Sequence, residues 1–246
     1  MKNQYVGDIN DYHKYGLIRI LTENPAVLTH VCWMLTLDDN KTDGGKIDYL
    51  LKPNKWRKYD PELFDVLRDT VIMQEQRSVQ IIENSGILPA CGFFSQYIKS
   101  DKQIEREAYF REFDFYLENS EKAGRESKLV FFDPDNGIES PKAKPNKKIY
   151  IYWEEIAEYY NREKTLLIYQ HFPFVNRERF VDDVVKKLKM MTSAKKVYSF
   201  VTKHVVFFLV PFGDHDKKFE FARKADEFAN VWNAADILVS YLVGLD

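Results

Sequence analysis

The sequence predicts an α/β fold: a three-layer α/β/α sandwich with a mostly parallel central sheet and an antiparallel edge hairpin. Apolar, strand-like runs alternate with amphipathic helical segments, which is typical of a parallel sheet covered by helices on both faces. Two adjacent apolar runs, 196–201 and 204–210, are separated only by Thr202 and Lys203, so we expect them to pair as a hairpin. The absence of repeats, low-complexity segments and long linkers indicates one domain over residues 1–246.

In the first half of the chain, Asp60 and Pro61 predict a helix start, because aspartate caps free N–H groups and proline fits the first helical position. Gly86 is typical of a helix end. Residues 38–60 are irregular over a length unusual for a loop, which favours a lid or binding loop. The predicted helices cover 11–21, 61–73, 78–85 and 102–119, and the strands cover 30–37 and 92–98.

The second half is more regular. Its predicted strands cover 128–133 and 165–170, with a short apolar run over 149–152 between them, followed by the hairpin and a last strand over 237–242. Its predicted helices cover 153–160, 176–190 and 216–232. Because strands and helices alternate here, we expect parallel neighbours joined by helical crossovers.

The composition narrows the class of protein. With a net charge of -2 and a pI of about 6.3, the chain is not one that coats nucleic acid over its whole surface. Its two cysteines lie in apolar runs and are expected to be reduced core residues. The first residues lack the apolar stretch of a signal peptide, and no run reaches the ~20 apolar residues of a membrane span, so we predict a cytoplasmic protein.

Two short stretches are basic and could neutralise the phosphates of DNA; the alternative is that both are solvated loops. They cover 52–58 and 142–148, and their candidate backbone contacts are Lys55, Arg57, Lys58, Lys147 and Lys148.

Polar clusters directly follow two of the predicted strands. Asp133, Pro134, Asp135, Asn136 and Gly137 follow the strand 128–133, and Gln170 and His171 end the strand 165–170. In an open α/β sheet, ligands bind outside the carboxyl ends of the strands. Carboxylates there could activate water or stabilise positive charge, an imidazole could transfer protons, and an amide could read a base edge. The alternatives are an ordinary Asx-rich turn and a buried histidine.

The N-terminal run is the third polar cluster. Within residues 5–16 it contains Asp8, Asn10, Tyr12, Lys14 and Tyr15, which are candidates to contact a base or a phosphate. The alternative is that the acidic residues simply cap the helix that follows.

Several motifs are missing. There is no Gly-x-Gly-x-x-Gly after the first strand, no P-loop and no Gly-x-Ser-x-Gly, which argues against dinucleotide oxidoreduction, P-loop phosphoryl transfer and esterase chemistry. The histidines have no metal-ligand spacing, and the acidic loop 38–45 has only weak magnesium potential. We therefore predict neither a metal nor a cofactor.

Asp133 and Pro134 resemble the start of the Asp-Pro-Pro-Tyr motif of class I methyltransferases that act on adenine. The predicted antiparallel pair of strands near the end of the chain also resembles the fold of that family. Asp135 and Asn136 stand where that motif has a second proline and an aromatic residue. The strand 30–37 is not followed by the glycine-rich loop that seats S-adenosylmethionine in that family. This resemblance implies methyl transfer to a nucleic acid.

A second resemblance is to the uracil-DNA glycosylase superfamily, whose members carry an Asp-Pro or Asn-Pro turn after one strand and a His-Pro-Ser segment after a later one. Asp133-Pro134 and His171-x-Pro173 occur here in the same order. The runs 6–16 and 132–137 also look similar to bacterial proteins that include phage-defence glycosylases acting on glucosylated hydroxymethylcytosine. This resemblance implies excision of a modified base from double-stranded DNA.

Base excision is our leading hypothesis. Asp133 or Asp135 would stabilise the sugar cation or orient water, His171 would stabilise the leaving base, and Asp8 is a further catalytic candidate. The residues expected to hold the flipped base are Asn10, Tyr12, Tyr15, Asn136 and Gln170, with Lys14 on the DNA backbone. Three alternatives stay open: a methyltransferase-like enzyme, a metal-dependent nuclease and a non-enzymatic binding module.

Overall fold

The structure is a computed structural model that describes residues 1–39, 44–140 and 148–232, together with the backbone of residues 238–243. The strands are β1 (Thr29–Cys32), β2 (Cys91–Phe94), β3 (Leu129–Phe132), β4 (Gly137–Ile138), β5 (Tyr150–Ile151), β6 (Thr165–His171), β7 (Lys196–Val201), β8 (Val205–Val210) and β9 (Leu238–Val243). The helices are α1 (Ile9–Leu21), α2 (Pro53–Trp56), α3 (Pro61–Arg68), α4 (Val79–Ser85), α5 (Gln103–Lys122), α6 (Trp153–Asn161), α7 (Arg177–Thr192), α8 (His215–Lys218) and α9 (Phe221–Trp232).

Seven strands form one sheet in the order β2-β1-β3-β6-β8-β7-β9. The first four are parallel, and β8 lies antiparallel between β6 and β7. Since β7 is antiparallel to β8, and β9 to β7, five of the seven strands run in one direction. The predicted α/β architecture, with a mostly parallel sheet and an antiparallel hairpin, is confirmed.

The sheet is covered on both faces because alternate residues of each buried strand point to opposite sides. In β3, Leu129 and Phe131 join a core that includes residues of α1, α3, α4 and α9. Val130 and Phe132 join a second core, which includes residues of α5, α6 and α7. A continuously apolar strand such as β3 is therefore the expected signature of a sheet buried on both faces.

The register of the antiparallel strands determines what lies at the functional edge of the sheet. His171, the last residue of β6, pairs with Val205, the first residue of β8. The turn that joins β7 to β8 therefore lies beside the carboxyl end of β6. That edge also holds the ends of β1 and β3, because both are parallel to β6 and in register with it.

Helix α1 lies across this edge and packs against α9. A side chain at Gly16 would overlap the indole ring of Trp232, so glycine is required where the two helices meet. Asp8 caps α1 by accepting hydrogen bonds from the N–H groups of Asn10 and Asp11. The N-terminal polar run therefore does cap a helix, as one of its two interpretations predicts.

Two local predictions are corrected, and the apolar run 149–152 is assigned to a strand. The strand expected over 30–37 ends at Cys32, and beyond it Leu35 forms an isolated parallel bridge with Tyr97. The run 149–152 pairs with β4 in a separate two-stranded sheet, because the turn after β3 approaches it. The helix expected over 216–232 is divided into α8 and α9 at Glu220, whose φ of +56° is incompatible with a continuous helix. Among the described residues, no helix has the length and apolar character needed to cross a bilayer.

Candidate functional site

Two adjoining cavities open at the edge of the sheet where the predicted polar clusters meet α1. The inner cavity has a volume of about 30 Å³ and lies over the ends of β3 and β6. The outer one, called the cleft below, has a volume of about 630 Å³. Asp8, Asn10, Asp135, Tyr5 and Tyr169 line both, so the cavities form one continuous site. The cleft is completed by residues 44–46, Asn136 and His171.

A buried lysine forms the floor of the inner cavity. The Nζ atom of Lys14 lies 2.5 Å from Oδ1 of Asp11 and 2.7 Å from Oδ2 of Asp133, and its side chain is only 1% exposed. Burial alone would lower the pKa of Lys14, but the two carboxylates outweigh it and raise that pKa. Burial raises the pKa of Asp133, which Lys14 opposes by favouring the charged form. The arrangement is a buried ion triad with one cation and two carboxylates.

Aromatic rings surround the same ammonium group. The Nζ atom of Lys14 lies 5.3 Å, 5.8 Å and 5.7 Å from the ring centroids of Tyr15, Trp33 and Tyr169, respectively. The Tyr15 hydroxyl also donates to Oδ2 of Asp11 at 3.1 Å. Such contacts favour a desolvated cation, so Lys14 is held rigidly at the base of the site.

Asp8 is the buried carboxyl that faces both cavities. Its Oδ1 accepts the N–H groups of Asn10 and Asp11 at 2.8 Å and 3.0 Å, and its Oδ2 accepts the Asn10 side-chain amide at 3.2 Å. Burial, followed by repulsion from Asp11, raises the pKa of Asp8 to about 7. A carboxyl group that titrates near neutral pH in a cleft is a candidate for general acid–base chemistry.

The neighbouring amide of Asn10 has an unmet hydrogen-bonding group. Its Oδ1 atom is buried and has no partner among the described residues, whereas its Nδ2 donates to Asp8. Asn10 lines both cavities. Because buried polar atoms are nearly always hydrogen-bonded, this oxygen is available to a donor that enters the site.

Asp135 is a carboxylate held in place by a hydroxyl and an ammonium group. The Thr36 hydroxyl donates to its Oδ2 at 2.6 Å, and the amino group of Met1 lies 2.7 Å from its Oδ1. The same amino group donates to the carbonyl oxygens of Asp133 and Met34 at 2.9 Å and 3.2 Å. Met1 thus fills the space between the ends of β1 and β3.

The side-chain amide of Gln170 is hydrogen-bonded within the protein and supports the turn beside the site. Its Oε1 accepts the N–H of Ile138 at 2.7 Å, and its Nε2 donates to the carbonyl oxygens of Asn136 and His171 at 3.1 Å and 2.6 Å. Gly137 has a φ of +105°, and a side chain there would overlap Gln170. The prediction that Gln170 reads a substrate is corrected, because its amide already joins the turn after β3 to the end of β6.

His171 and Asn136 are the two remaining predicted residues at the strand ends. His171 is exposed at the mouth of the cleft, and its Nδ1 lies 3.1 Å from the carbonyl oxygen of Phe172. Asn136 lines the cleft while its Nδ2 donates to the Tyr150 hydroxyl at 3.1 Å. Both therefore line the cleft, and their contact with a ligand stays a prediction.

Three predicted contact residues are buried instead. Tyr12 is fully buried, stacks on Tyr49 at 5.2 Å and donates to the carbonyl oxygen of Trp56. Tyr15 is also fully buried, and Lys14 is enclosed in its ion triad. We correct these predictions: neither tyrosine can stack on a base, and Lys14 cannot contact a DNA backbone, because none of the three reaches solvent.

The aromatic residues that do line the site are Tyr5 and Tyr169, which sequence reasoning missed. Tyr169 precedes Gln170 at the end of β6, so strand alternation points it toward α1 rather than α7. That alternation was the available signal. Tyr5 ends a short 3₁₀ turn, Asn3–Tyr5, for which the sequence offered no distinct sign.

Among the described residues of the two predicted basic loops, 52–58 and Lys148, none lines either cavity. Lys55, Arg57 and Lys58 are exposed near α2, and Arg57 forms a two-point ion pair with Asp65, with hydrogen bonds of 2.8 Å and 2.7 Å. The N–H of Lys148 donates to Asp101 at 2.8 Å, whereas Lys147 lies outside the described residues. Within the described ranges, no group of three or more His, Cys, Asp or Glu side chains has the geometry to hold a metal ion.

Comparisons with known proteins add a likeness of fold. No protein-family model matches the chain, and no curated protein matches it. The chain is similar to a crystal structure of a Legionella pneumophila (strain Philadelphia 1) protein described by the family model DUF519. The two are 14% identical with a TM-score of 0.46, and the match covers 97% of this chain and 98% of that one. A likeness of this degree carries no functional assignment.

Proposed function

We propose that the protein is an enzyme that hydrolyses the N-glycosidic bond of a nucleotide whose base enters the cleft. The observation that carries this proposal is Asp8, a buried carboxyl with a pKa of about 7 that faces an open polar cleft beside the carboxylate of Asp135. Paired carboxyl groups with different protonation behaviour are the usual machinery for cleaving glycosidic bonds.

The lining of the cleft supports a nucleobase as the bound group. Tyr5 and Tyr169 offer aromatic faces for stacking, and the amides of Asn10 and Asn136 offer hydrogen bonds to a base edge. The free Oδ1 of Asn10 requires a donor, which an exocyclic amino group or a ring N–H of a base supplies. A flat, hydrogen-bonding ring meets both requirements.

In the proposed reaction, water adds to C1′ of the sugar as the bond from C1′ to the base nitrogen breaks. Asp135 stabilises the positive charge that develops on the sugar. Asp8 accepts the proton lost by the water, and His171 donates a proton to the departing base. The products are an abasic sugar and a free base, and transfer of a proton from Asp8 to His171 through solvent restores the starting state.

The substrate we propose is double-stranded phage DNA with a modified base, acted on in the cytoplasm as part of antiviral defence. This substrate follows from the resemblance of residues 6–16 and 132–137 to phage-defence glycosylases. The cleft volume of about 630 Å³ is large enough for a base with an added group.

Methyl transfer to a nucleic acid is the second candidate. It is favoured by the antiparallel strand β8 between β6 and β7, and by Asp133 and Pro134 at the end of β3, which together resemble class I methyltransferases. Against it stands Met1, which fills the space between the ends of β1 and β3. Titration calorimetry with S-adenosylmethionine tests this candidate.

The experiment that tests the glycosylase proposal is incubation of the protein with unmodified, hydroxymethylated and glucosylated phage DNA, without added metal or cofactor. We expect strand breaks on one DNA type that appear only after alkali, which identifies abasic sites. Asp8→Asn should abolish them, whereas Asp182→Asn, a matched change at an exposed position on α7, should not. Intact DNA throughout, or breaks without alkali, would contradict the proposal.

A further inference from the structure

Basic side chains from separate segments gather on one side of the cleft mouth. They form what we call the basic rim: Lys46 and His171 on the wall of the cleft, Lys203 and His204 in the β7–β8 turn, and Arg177, whose guanidinium lies 5.1 Å from the ring centroid of Phe172. Lys46 and His171 line the cleft itself. The N–H of Phe172 donates to the carbonyl oxygen of His204 at 3.3 Å, which fixes the β7–β8 turn against the loop that follows β6.

The topology of the sheet explains this gathering. Because β8 runs antiparallel to β6, the turn that carries Lys203 and His204 is delivered to the edge where His171 ends its strand. Arg177 begins α7, only a few residues beyond His171. Lys46 reaches the same mouth because its carbonyl oxygen accepts the N–H of Ile9 at the start of α1.

The charges of the rim are exposed and uncompensated. Lys46, Arg177 and Lys203 are exposed, and none of them forms an ion pair with a carboxylate among the described residues. The nearby negative charges of Asp8 and Asp135 belong instead to buried side chains on the floor of the site. The positive charge therefore faces solvent, and the negative charge faces the inner cavity.

We propose that the basic rim binds a phosphate group of the substrate and thereby orients the nucleotide whose base enters the cleft. The proposal rests on the proposed function, since it concerns the same nucleotide. The phosphate belongs either to a polynucleotide backbone or to a free nucleotide, and the two sources share the same chemistry. A phosphate oxygen is the acceptor that arginine and lysine donors at a cleft mouth recognise.

The titration of His204 is consistent with this inference. Partial burial lowers the pKa of His204, and Lys46, Lys203, Arg177 and His171 lower it further. The positive charges of Lys46, Lys203 and Arg177 thus act on one imidazole, in agreement with the placement of these residues around the cleft mouth. An anion bound among them would relieve this mutual repulsion.

The test is a binding measurement that does not depend on cleavage. Binding of a short fluorescein-labelled DNA duplex is followed by anisotropy at several salt concentrations, with thymidine 5′-monophosphate as an unlabelled competitor. The test variant is Arg177→Gln/Lys203→Gln. Its control is Lys195→Gln/Lys217→Gln, which makes the same charge change at exposed positions near the opposite edge of the sheet.

Two lost phosphate contacts should weaken duplex binding roughly fiftyfold at about 0.1 M salt and reduce the salt-dependence slope by about two, with the control close to wild type. If the rim variant also loses competition by thymidine monophosphate, the rim binds the phosphate of the substrate nucleotide. If the variant weakens duplex binding alone, the rim binds the flanking backbone. Equal weakening in the two variants, or no weakening in either, would overturn the inference. If the rim variant binds DNA more weakly than the control but the wild-type protein forms no abasic sites in any DNA, the rim proposal stands and the glycosylase proposal fails.

Discussion

Replacing Lys14 by methionine is the most direct test of how the floor of the site is built. The substitution keeps the length and apolar character of the side chain but removes the only ammonium within reach of both Asp11 and Asp133 in the described structure. Two carboxyl groups would then be buried side by side, and the amino group of Met1, near Asp133, would be the cation left beside them. Both must be protonated or hydrated for the fold to persist, and each alternative costs free energy.

The magnitude follows from the burial of the triad. The side chains of Lys14, Asp11 and Asp133 are 1%, 3% and 2% exposed, respectively, so solvent screens their interaction little. Removing one partner of such a buried pair costs about 3–5 kcal/mol. We therefore expect Lys14→Met to lower the free energy of unfolding at pH 7 by about 3–5 kcal/mol. Part of that loss should be regained at acidic pH, because burial raises the pKa of Asp133 and its carboxyl group then takes up a proton.

The assay is equilibrium urea unfolding followed by circular dichroism, at neutral and acidic pH. The double variant Lys14→Met/Asp133→Asn provides the internal comparison, because it removes one of the two orphaned charges and should recover part of the loss. Lys195→Met is the matched control at an exposed position. A loss below about 1 kcal/mol for Lys14→Met, typical of exposed pairs, would refute the buried-triad reasoning.

Three further predictions follow from the same structure. Burial lowers the pKa of His13 to about 3, below its ordinary 6.5. The unfolded chain therefore takes up a proton at His13 below pH 6.5 while the folded chain does not, and the free energy of unfolding should fall by about 1.4 kcal/mol per pH unit in that range. Urea unfolding of His13→Gln between pH 7 and 4.5 should lack this pH dependence. Asp8→Asn should lower the rate of base release by about 10²–10⁴-fold. The acidic limb of the wild-type pH profile should come from Asp8, with rates that fall below about pH 7 as its carboxylate takes up a proton; a profile without that limb would exclude Asp8 as the base. Gly16→Ala should cost about 1–3 kcal/mol in thermal or urea unfolding, because the new methyl group overlaps Trp232, and an unchanged midpoint would show that α9 can shift.

The position of the candidate site, at the ends of two strands, is one that local sequence patterns can indicate. Apolar runs that end in polar turns identified the carboxyl ends of β3 and β6, and Asp135, Asn136 and His171 do line cavities there. Gly137, which closes the first of these turns, is approached closely by the side chain of Gln170.

The contacts between distant segments were not predictable in this way. Lys14 and Asp133 are separated by 119 positions, and nothing local distinguishes a lysine buried in an ion triad from one at the surface of a helix. The lysine-rich stretches were predicted to contact DNA phosphates, yet Lys55 and Lys58 lie outside both cavities. Lys203 comes to the mouth of the cleft through strand order, and Lys46 through the hydrogen bond from Ile9 to its carbonyl oxygen. A sequence pattern reveals neither placement.

The side chain of Gln170 has a consequence for how the site would respond to a ligand. Its three hydrogen bonds tie the turn after β3 to the end of β6, so these two strand ends form one rigid support. A ligand that contacts Asn136 and His171 therefore spends little binding free energy on reorganising them. Any adaptation to substrates of different size must come from the opposite wall, where residues 44–46 line the cleft. Selectivity would then evolve by changing that loop while the chemistry at the strand ends stays fixed.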